Sequence, residues 1–278
     1  MGNLPVVVVE MDASGRLFFI RMDAAGNALR VSYRRSCTAV QAKKMNLLLL
    51  SDEDFLEDGQ ARVTGRRLVH AREVLQAAVG AQLRVGRLGG KVGTALVLAC
   101  DAHQLLLRVE LNEAPPPRSG VTLLLALPRP KALKKLLPAV ASLGVDRLVL
   151  VNSARVQKSY FDSPVLADAP GLFALGLEQA RDTVAPELLV RERFRPFVED
   201  ELHGLFPAQR LLAHPAASAR LSRSPGPLAL AIGPEGGWVP FEVELLEQQG
   251  FRAFTLGPRI LKVEVAVSFL LGALLAAP

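Results

Sequence analysis

The sequence predicts an α/β protein, built as a small strand-rich barrel followed by a larger parallel sheet with helices on both faces. Three observations carry that prediction. From Val121 onward, short apolar runs alternate with stretches of helical periodicity, the pattern of strands buried on both faces. Between Leu47 and about Glu113 the pattern is instead one of short strands between glycines, which a barrel buries without open edges. Asn112-Glu-Ala-Pro-Pro-Pro-Arg118 separates the two regions as a stiff, proline-rich connector.

The chain has 278 residues, enough for two domains of ordinary size. Half the residues are hydrophobic and 22% are charged, which excludes a disordered chain. The formal net charge of +6 fits a polyanionic partner without requiring one. The two cysteines, Cys37 and Cys100, have no metal-ligand spacing and form no disulfide framework, so a reducing cytoplasm is expected. The run Val6–Val9 is too short for a secretory segment. The longest apolar tract, 265–277, falls short of the ~20 residues of a membrane span and reads as a buried C-terminal helix.

Residues 1–44 form an extension of unassigned role. Strands are expected near 6–9, 16–22 and 28–33, with turn chemistry in Asp12-Ala-Ser-Gly15 and Asp23-Ala-Ala-Gly26. Residues 45–113 form the barrel, with strands at 62–63, 82–86, 94–100 and 104–111. A helix at 69–78 is expected to present Val69, Val74 and Ala77 on one side. Residues 114–119 are the linker and 120–278 the α/β domain. Its strands are placed at 121–127, 145–151, 188–191, 210–213, 228–232 and 251–256. Its helices begin at Pro130, with a kink expected at Pro138, and then at 171–184, 196–205, 240–249 and 264–276.

Two glycine-rich turns follow late strands. Ile232-Gly-Pro-Glu-Gly-Gly237 has neither dinucleotide nor P-loop spacing. It reads either as a tight strand-to-helix turn, with Glu235 near a positive helix end, or as backbone that approaches a ligand closely. Leu256-Gly-Pro-Arg-Ile-Leu-Lys-Val-Glu264 places Arg259, Lys262 and Glu264 in one short stretch. It reads either as a solvated turn, with Glu264 capping the last helix, or as the mouth of a pocket. Ligands of open α/β sheets bind beyond the carboxyl ends of strands, so the two turns together point to one shared site.

These two turns, in this order and about twenty residues apart, resemble the small-subunit ribosomal RNA methyltransferase E family of the knotted SPOUT class. His70-x-x-x-Val74-Leu75, Leu143-Gly144-Val145, Glu178-Gln179 and Leu212-Ala-His-Pro215 resemble further family positions in order, over about residues 45–277. The resemblance implies a PUA-like RNA-binding barrel and a C-terminal domain that threads a deep trefoil knot. It implies S-adenosylmethionine as cofactor, bound by Leu212, His214, Ile232, Gly233, Pro234, Glu235, Gly236, Leu256, Gly257, Ile260 and Leu261. It implies methylation of N3 of a uridine in 16S ribosomal RNA, in a cytoplasmic homodimer without a metal. Lys262, Glu264 and Arg259 are the candidate catalytic residues, as cations beside a developing uracil anion and a carboxylate for the proton or the cofactor amine. The chain departs from the family where Lys262-Val-Glu-Val-Ala266 stands for Arg-Thr-Glu-Thr-Ala, Gln76 for arginine and Ser142 for glutamate.

Residues 61–93 hold seven basic side chains, Arg62, Arg66, Arg67, Arg72, Arg84, Arg87 and Lys91, against one acid, Glu73. Such a segment reads as a solvated face or, beside a methyltransferase domain, as an RNA phosphate contact. Tyr160 and Trp238 fit the rim of a cleft or the core. The scattered histidines, among them His70, His103 and His214, make no metal set. Two alternatives stand beside the active uridine methyltransferase: an RNA-binding or ribosome-assembly protein without turnover, and a knotted methyltransferase acting at another position of ribosomal or transfer RNA.

Overall fold

The computed structural model describes residues 46–222 and 225–275 together with three strands of the N-terminal segment. Those strands, β1 (Val7–Met11), β2 (Leu17–Met22) and β3 (Ala28–Ser32), form an antiparallel sheet in the order β1-β2-β3. Val9 lies opposite Phe19, and Ile20 opposite Arg30. The two expected turns and Cys37 lie outside the described residues, as do Met45 and Ala276.

The second compact unit, residues 44–278, holds two sheets. The first comprises β4 (Leu48–Leu50), β5 (Gln60–Val63), β6 (Gln82–Arg87), β7 (Val92–Cys100) and β8 (Leu105–Glu113), in the order β4-β6-β7-β8-β5. It is mixed: β4 pairs parallel with β6, and the other ladders are antiparallel. Helix α1 (Gly65–Glu73) packs Leu68 and Ala71 into the core of this sheet, followed by Leu75. Val69 and Val74, expected on the buried side, are about half exposed. The helix begins four residues earlier than expected, at Gly65, and ends at Glu73. Its apolar stripe is therefore Leu68–Ala71, and Val69 turns outward.

The second sheet is wholly parallel. Its strands β9 (Val121–Ala126), β10 (Arg147–Val151), β11 (Glu187–Arg191), β12 (Gln209–Ala213), β13 (Leu228–Ile232) and β14 (Phe251–Phe254) run in the order β11-β10-β9-β13-β12-β14. The helices are α2 (Pro130–Ser142), α3 (Pro164–Ala167), α4 (Ala169–Ala180), α5 (Phe194–Pro196), α6 (Leu202–Leu205), α7 (Pro240–Gln248) and α8 (Val263–Leu275). A π-helical turn, Phe197–Glu201, joins α5 to α6, so the expected helix at 196–205 is three short pieces. Pro196 withholds one helical N–H there. Helix α2 continues without interruption through Pro138.

The continuous apolar strands have two cores to fill. Leu123 and Leu125 of β9 point to one, shared with α2, α4 and α8, and Leu124 and Ala126 point to the other, with Phe197, Trp238 and Leu246. Helices α2 and α4 touch backbone to backbone, because a Cβ on Gly176 would lie 2.1 Å from the Pro138 carbonyl oxygen. Helix α4 stops at Ala180 rather than at 184, because Arg181 takes a left-handed φ of +60°. The segment that follows serves the first sheet. Thr183 Oγ1 donates to Gly90 O (2.5 Å), Gly89 N donates to Thr183 O (2.7 Å), and Leu47 N donates to Glu178 O (2.9 Å). In the connector, Arg118 is pinned by donating to Val184 O (2.6 Å) and to Val145 O.

Candidate active site

The parallel register brings three strand ends to one edge. Ala213 of β12 lies opposite Ile232 of β13 on one side and Phe254 of β14 on the other. At ~4.8 Å per strand, the two glycine-rich turns leave strands roughly 10 Å apart, with Leu212–His214 between them. His214 N donates to Phe254 O at 2.9 Å and closes that row. The shared edge read from the sequence is therefore present, with both turns flanking the same strand.

In the first turn Ile232 and Pro234 are buried, and Glu235 and Gly236 are exposed. Gly237 takes φ +76° and donates N–H to Pro234 O at 2.8 Å. A Cβ on Gly233 would crowd Trp238 Cδ1 and N at 3.1 Å, so Gly233 is needed for the packing of Trp238. That indole is buried, 5.6 Å from the Phe194 ring, which excludes a place on the rim. Tyr160 is half-buried against the core.

In the second turn Thr255 Oγ1 accepts from Gly257 N at 3.1 Å, and Gly257 sits at φ +107° with open space around it. Among the described residues, Leu256 and residues 258–261 form no hydrogen bond through their backbone. Such a row of unpaired peptide groups is what a ligand can satisfy. The Ile260 side chain is 86% exposed, so any grip at this residue is by backbone.

Lys262 and Glu264 meet in one cavity of about 210 Å³, lined also by Arg129, Lys131, Ala132 and Lys135. Arg259 is exposed and does not line it. Glu264 lies in the first turn of α8, as a helix-end carboxylate should. Its Oε2 is shielded from solvent and has no hydrogen-bond partner among the described residues. Arg129, just before α2, ties the cavity to the first turn: its N and Nε donate to Glu235 Oε1 at 3.4 and 3.1 Å.

Several of these residues escaped the sequence reading. Arg155 donates to Gly236 O across the first turn, and a Cβ on Gly236 would meet Arg155 Cδ at 2.9 Å. The loop carrying Arg155 is held by the buried carboxylate of Glu242, which accepts from Ala154 N (2.7 Å), Val239 N (2.9 Å) and Ser153 Oγ (3.3 Å). Arg129, Lys131 and Lys135 had a readable signal: Arg129-Pro130-Lys131 is another strand-to-helix turn on the same edge.

The basic segment 61–93 is less free than its composition suggests. Arg67 grips Asp54 through both nitrogens, one bond at 2.7 Å, and Arg84 donates to Glu113 at 2.6 Å. Arg87 Nε lies 2.8 Å from Asp52, and Arg66 lies 3.4 Å from the buried carboxylate of Glu178. The acids come from outside the segment, so a local charge count misses them. Arg62, Arg72 and Lys91 are exposed and form no ion pair among the described residues. Among the described residues no group of three His, Cys, Asp or Glu side chains could hold a metal ion, and no helix is long and apolar enough to cross a membrane.

Residues 115–275 match the RNA methyltransferase domain family. The ribosomal RNA small subunit methyltransferase E of Treponema pallidum is 31% identical over 235 residues, 80% of this chain and 87% of that one. The chain belongs to the ribosomal RNA small subunit methyltransferase E family. The Synechocystis member is 29% identical over 248 residues, covering 86% of this chain and 79% of its own. The fold is shared with two solved structures. One is a Legionella pneumophila putative methyltransferase in complex with SAM (TM-score 0.66, 24% identity, 82% of this chain and 96% of that one). The other is the Neisseria gonorrhoeae family member bound to S-adenosyl methionine (TM-score 0.65, 22% identity, the same coverage).

Proposed function

We propose that this family member transfers a methyl group from S-adenosylmethionine to N3 of a uridine in 16S ribosomal RNA. The observation that carries the reading is the convergence of both glycine-rich turns on the end of β12, beside a cavity that joins Lys262 and Glu264. The residues fit the cofactor: the unpaired backbone of the second turn and the shielded Glu264 Oε2 await polar partners. Leu212, His214, Ile232, Gly233, Pro234, Glu235, Gly236, Leu256, Gly257, Ile260 and Leu261 would hold it, mostly by backbone.

When bound, the cofactor supplies an electrophilic methyl group on a sulfonium centre. The acceptor nitrogen must lose its proton, and Glu264 Oε2 is the site's carboxylate for taking it or for holding the cofactor amine. Lys262, with Arg259 at the open side, offsets negative charge growing on the uracil ring. Arg155 and Arg129 fix the first turn from two directions, which serves alignment.

The domain reading extends this proposal. Residues 45–113 act as a PUA-like barrel that grips RNA, 114–119 link, 120–278 carry the transfer site, and 1–44 remain an extension. On the barrel, Arg62, Arg72 and Lys91 are the cations ready for phosphate, whereas Arg66, Arg67, Arg84 and Arg87 would first exchange an acidic partner. A trefoil knot is supported by the path of α8, which returns from the edge strand β14 to pack on α2 and β13. It is supported also by the tie between the 215–220 connection and Thr255, where Thr255 N donates to Ala219 O at 2.9 Å. A homodimer fits the exposed apolar side chains Ile260, Val265 and Phe269 along the start of α8. The site of action is the cytoplasm, on the small ribosomal subunit.

The test is nucleoside mass spectrometry of small-subunit RNA from a strain lacking the gene. Loss of one 3-methyluridine, restored by the intact gene, is expected. An unchanged 3-methyluridine level with loss of a different methylated nucleoside reassigns the target, and no loss at all refutes the activity.

A further inference from the structure

We propose that the cavity between the starts of α2 and α8 is a binding site for a phosphodiester of the RNA backbone, held by Lys131 and Lys135 beside Lys262. This rests on the RNA methyltransferase reading and names the part of the RNA that the site takes.

Charge is the first argument. The cavity is lined by four cations and one carboxylate. Arg129 is engaged with Glu235, but the ammonium groups of the three lysines form no hydrogen bond or ion pair among the described residues. Three ammonium groups around one space repel one another unless an anion sits between them. The helix end is the second argument. Helix α2 spans thirteen residues and starts with Pro130, yet its N-cap Arg129 makes no side-chain cap bond and its first turn holds no acid. That helix end is met by Glu235, which accepts from Arg129 N at 3.4 Å, and no acid of α2 itself adds to it beside the lysines, a setting that favours a further anion.

Two molecules of the proposed reaction carry anionic oxygen: the RNA backbone, as a phosphodiester, and the cofactor, at its amino-acid end. The cofactor's amino-acid end carries no net charge, whereas three unpaired lysines call for a net anion. A volume of about 210 Å³, room for roughly seven waters at ~30 Å³ each, accepts a phosphodiester with the edge of its ribose.

Phosphate contact is independent of sequence, so a labelled oligouridylate is a sufficient probe. Its binding is followed by fluorescence anisotropy across a salt series for the full chain, for Lys131→Ala/Lys135→Ala, and for Lys134→Ala. Lys134 is exposed on the same helix but does not line the cavity, and Lys131 and Lys135 are equally exposed, so none of the changes disturbs packing. In the double variant, the slope of log K against log salt is expected to become shallower by about 0.7, the value for one lost single-strand phosphate contact. Lys134→Ala is expected to keep the parent slope, and calorimetry is expected to give the double variant the parent's affinity for S-adenosylmethionine. An unchanged slope in the double variant, or an equal change in Lys134→Ala, overturns the proposal. So does a tenfold loss of cofactor affinity without a slope change, which would give the cavity to the cofactor. Absence of cofactor heat in the parent chain counts against the methyltransferase reading alone, and the slopes still decide the phosphate site.

Discussion

Replacing Gly176 with alanine tests the packing that fixes α2 against α4. In an open helix the change is favourable, because alanine gains ~1 kcal/mol over glycine in helix propensity. Here the added methyl would sit 2.1 Å from the Pro138 carbonyl oxygen, 2.9 Å from its carbon and 3.0 Å from Ala141 Cβ. Two of those three atoms are helix backbone, so the helices must separate by about 1 Å to restore van der Waals distance. Separation strains the layer formed by Leu133, Leu137 and Leu177, and stretches the bond from the Ser142 hydroxyl in α2 to Gly176 O in α4, 2.9 Å. Overpacking of a dense core costs about 3 kcal/mol at the upper end of its usual range, which leaves a net loss of ~2 kcal/mol. For a chain of this size that is a fall of roughly 4–8 °C in Tm. The assay is urea and thermal unfolding beside Gly204→Ala in α6, where nothing lies within 4 Å and a gain of up to ~1 kcal/mol is expected. Equal or greater stability of Gly176→Ala would refute the close backbone approach.

Glu242→Ala strips the acceptor from Ala154 N, Val239 N and Ser153 Oγ, and should cost about 3 kcal/mol in unfolding experiments. Glu264→Gln and Lys262→Ala should each slow single-turnover methylation about a hundredfold, read by rapid quench with radiolabelled cofactor; unchanged rates in both would remove their assigned roles. The Asp101 carboxylate accepts from His103 N and then Gln104 N, which holds its pKa below 3.8. Its charged form is therefore favoured in the folded state. The small stabilisation is present above pH 3.8 and fades as pH falls through the lowered pKa. Carbon NMR titration of Asp101 should give a midpoint under 3.8 in the folded chain.

Much of the parallel sheet was readable because each of its strands is a short apolar run closed by a helix start or stop. Leu228–Ile232 matches its expected bounds, and the helix from Pro240 ends one residue early. Strand order was not readable. Nothing in periodicity says that β13 inserts between β9 and β12, and that insertion is what brings the two glycine-rich turns around one strand end. Near α1 the local signal was misplaced: the apolar positions are compatible with more than one helix start, and Gln76, at φ +50°, breaks the pattern assumed there. The arginines of 61–93 show the same limit in charge. Asp52, Asp54, Glu113 and Glu178 lie outside the window that made the segment look uniformly basic. Lys262 and Glu264 stand out as candidates because they follow a motif, whereas their meeting with Lys131 and Lys135 in one cavity is visible only in the fold.

The bonds from Glu178 and Thr183 to Leu47, Arg66, Gly89 and Gly90 give the last turn of α4 and the stretch after it two employers, one in each sheet. Neither sheet can swing without tearing the other's hydrogen bonds. On the proposed role of the mixed sheet as an RNA grip, the bound RNA meets the strand-end cavity at a set offset, as on a ruler. Under that proposal, choice of nucleotide follows from how far along a folded RNA the reactive base lies from the part that is gripped.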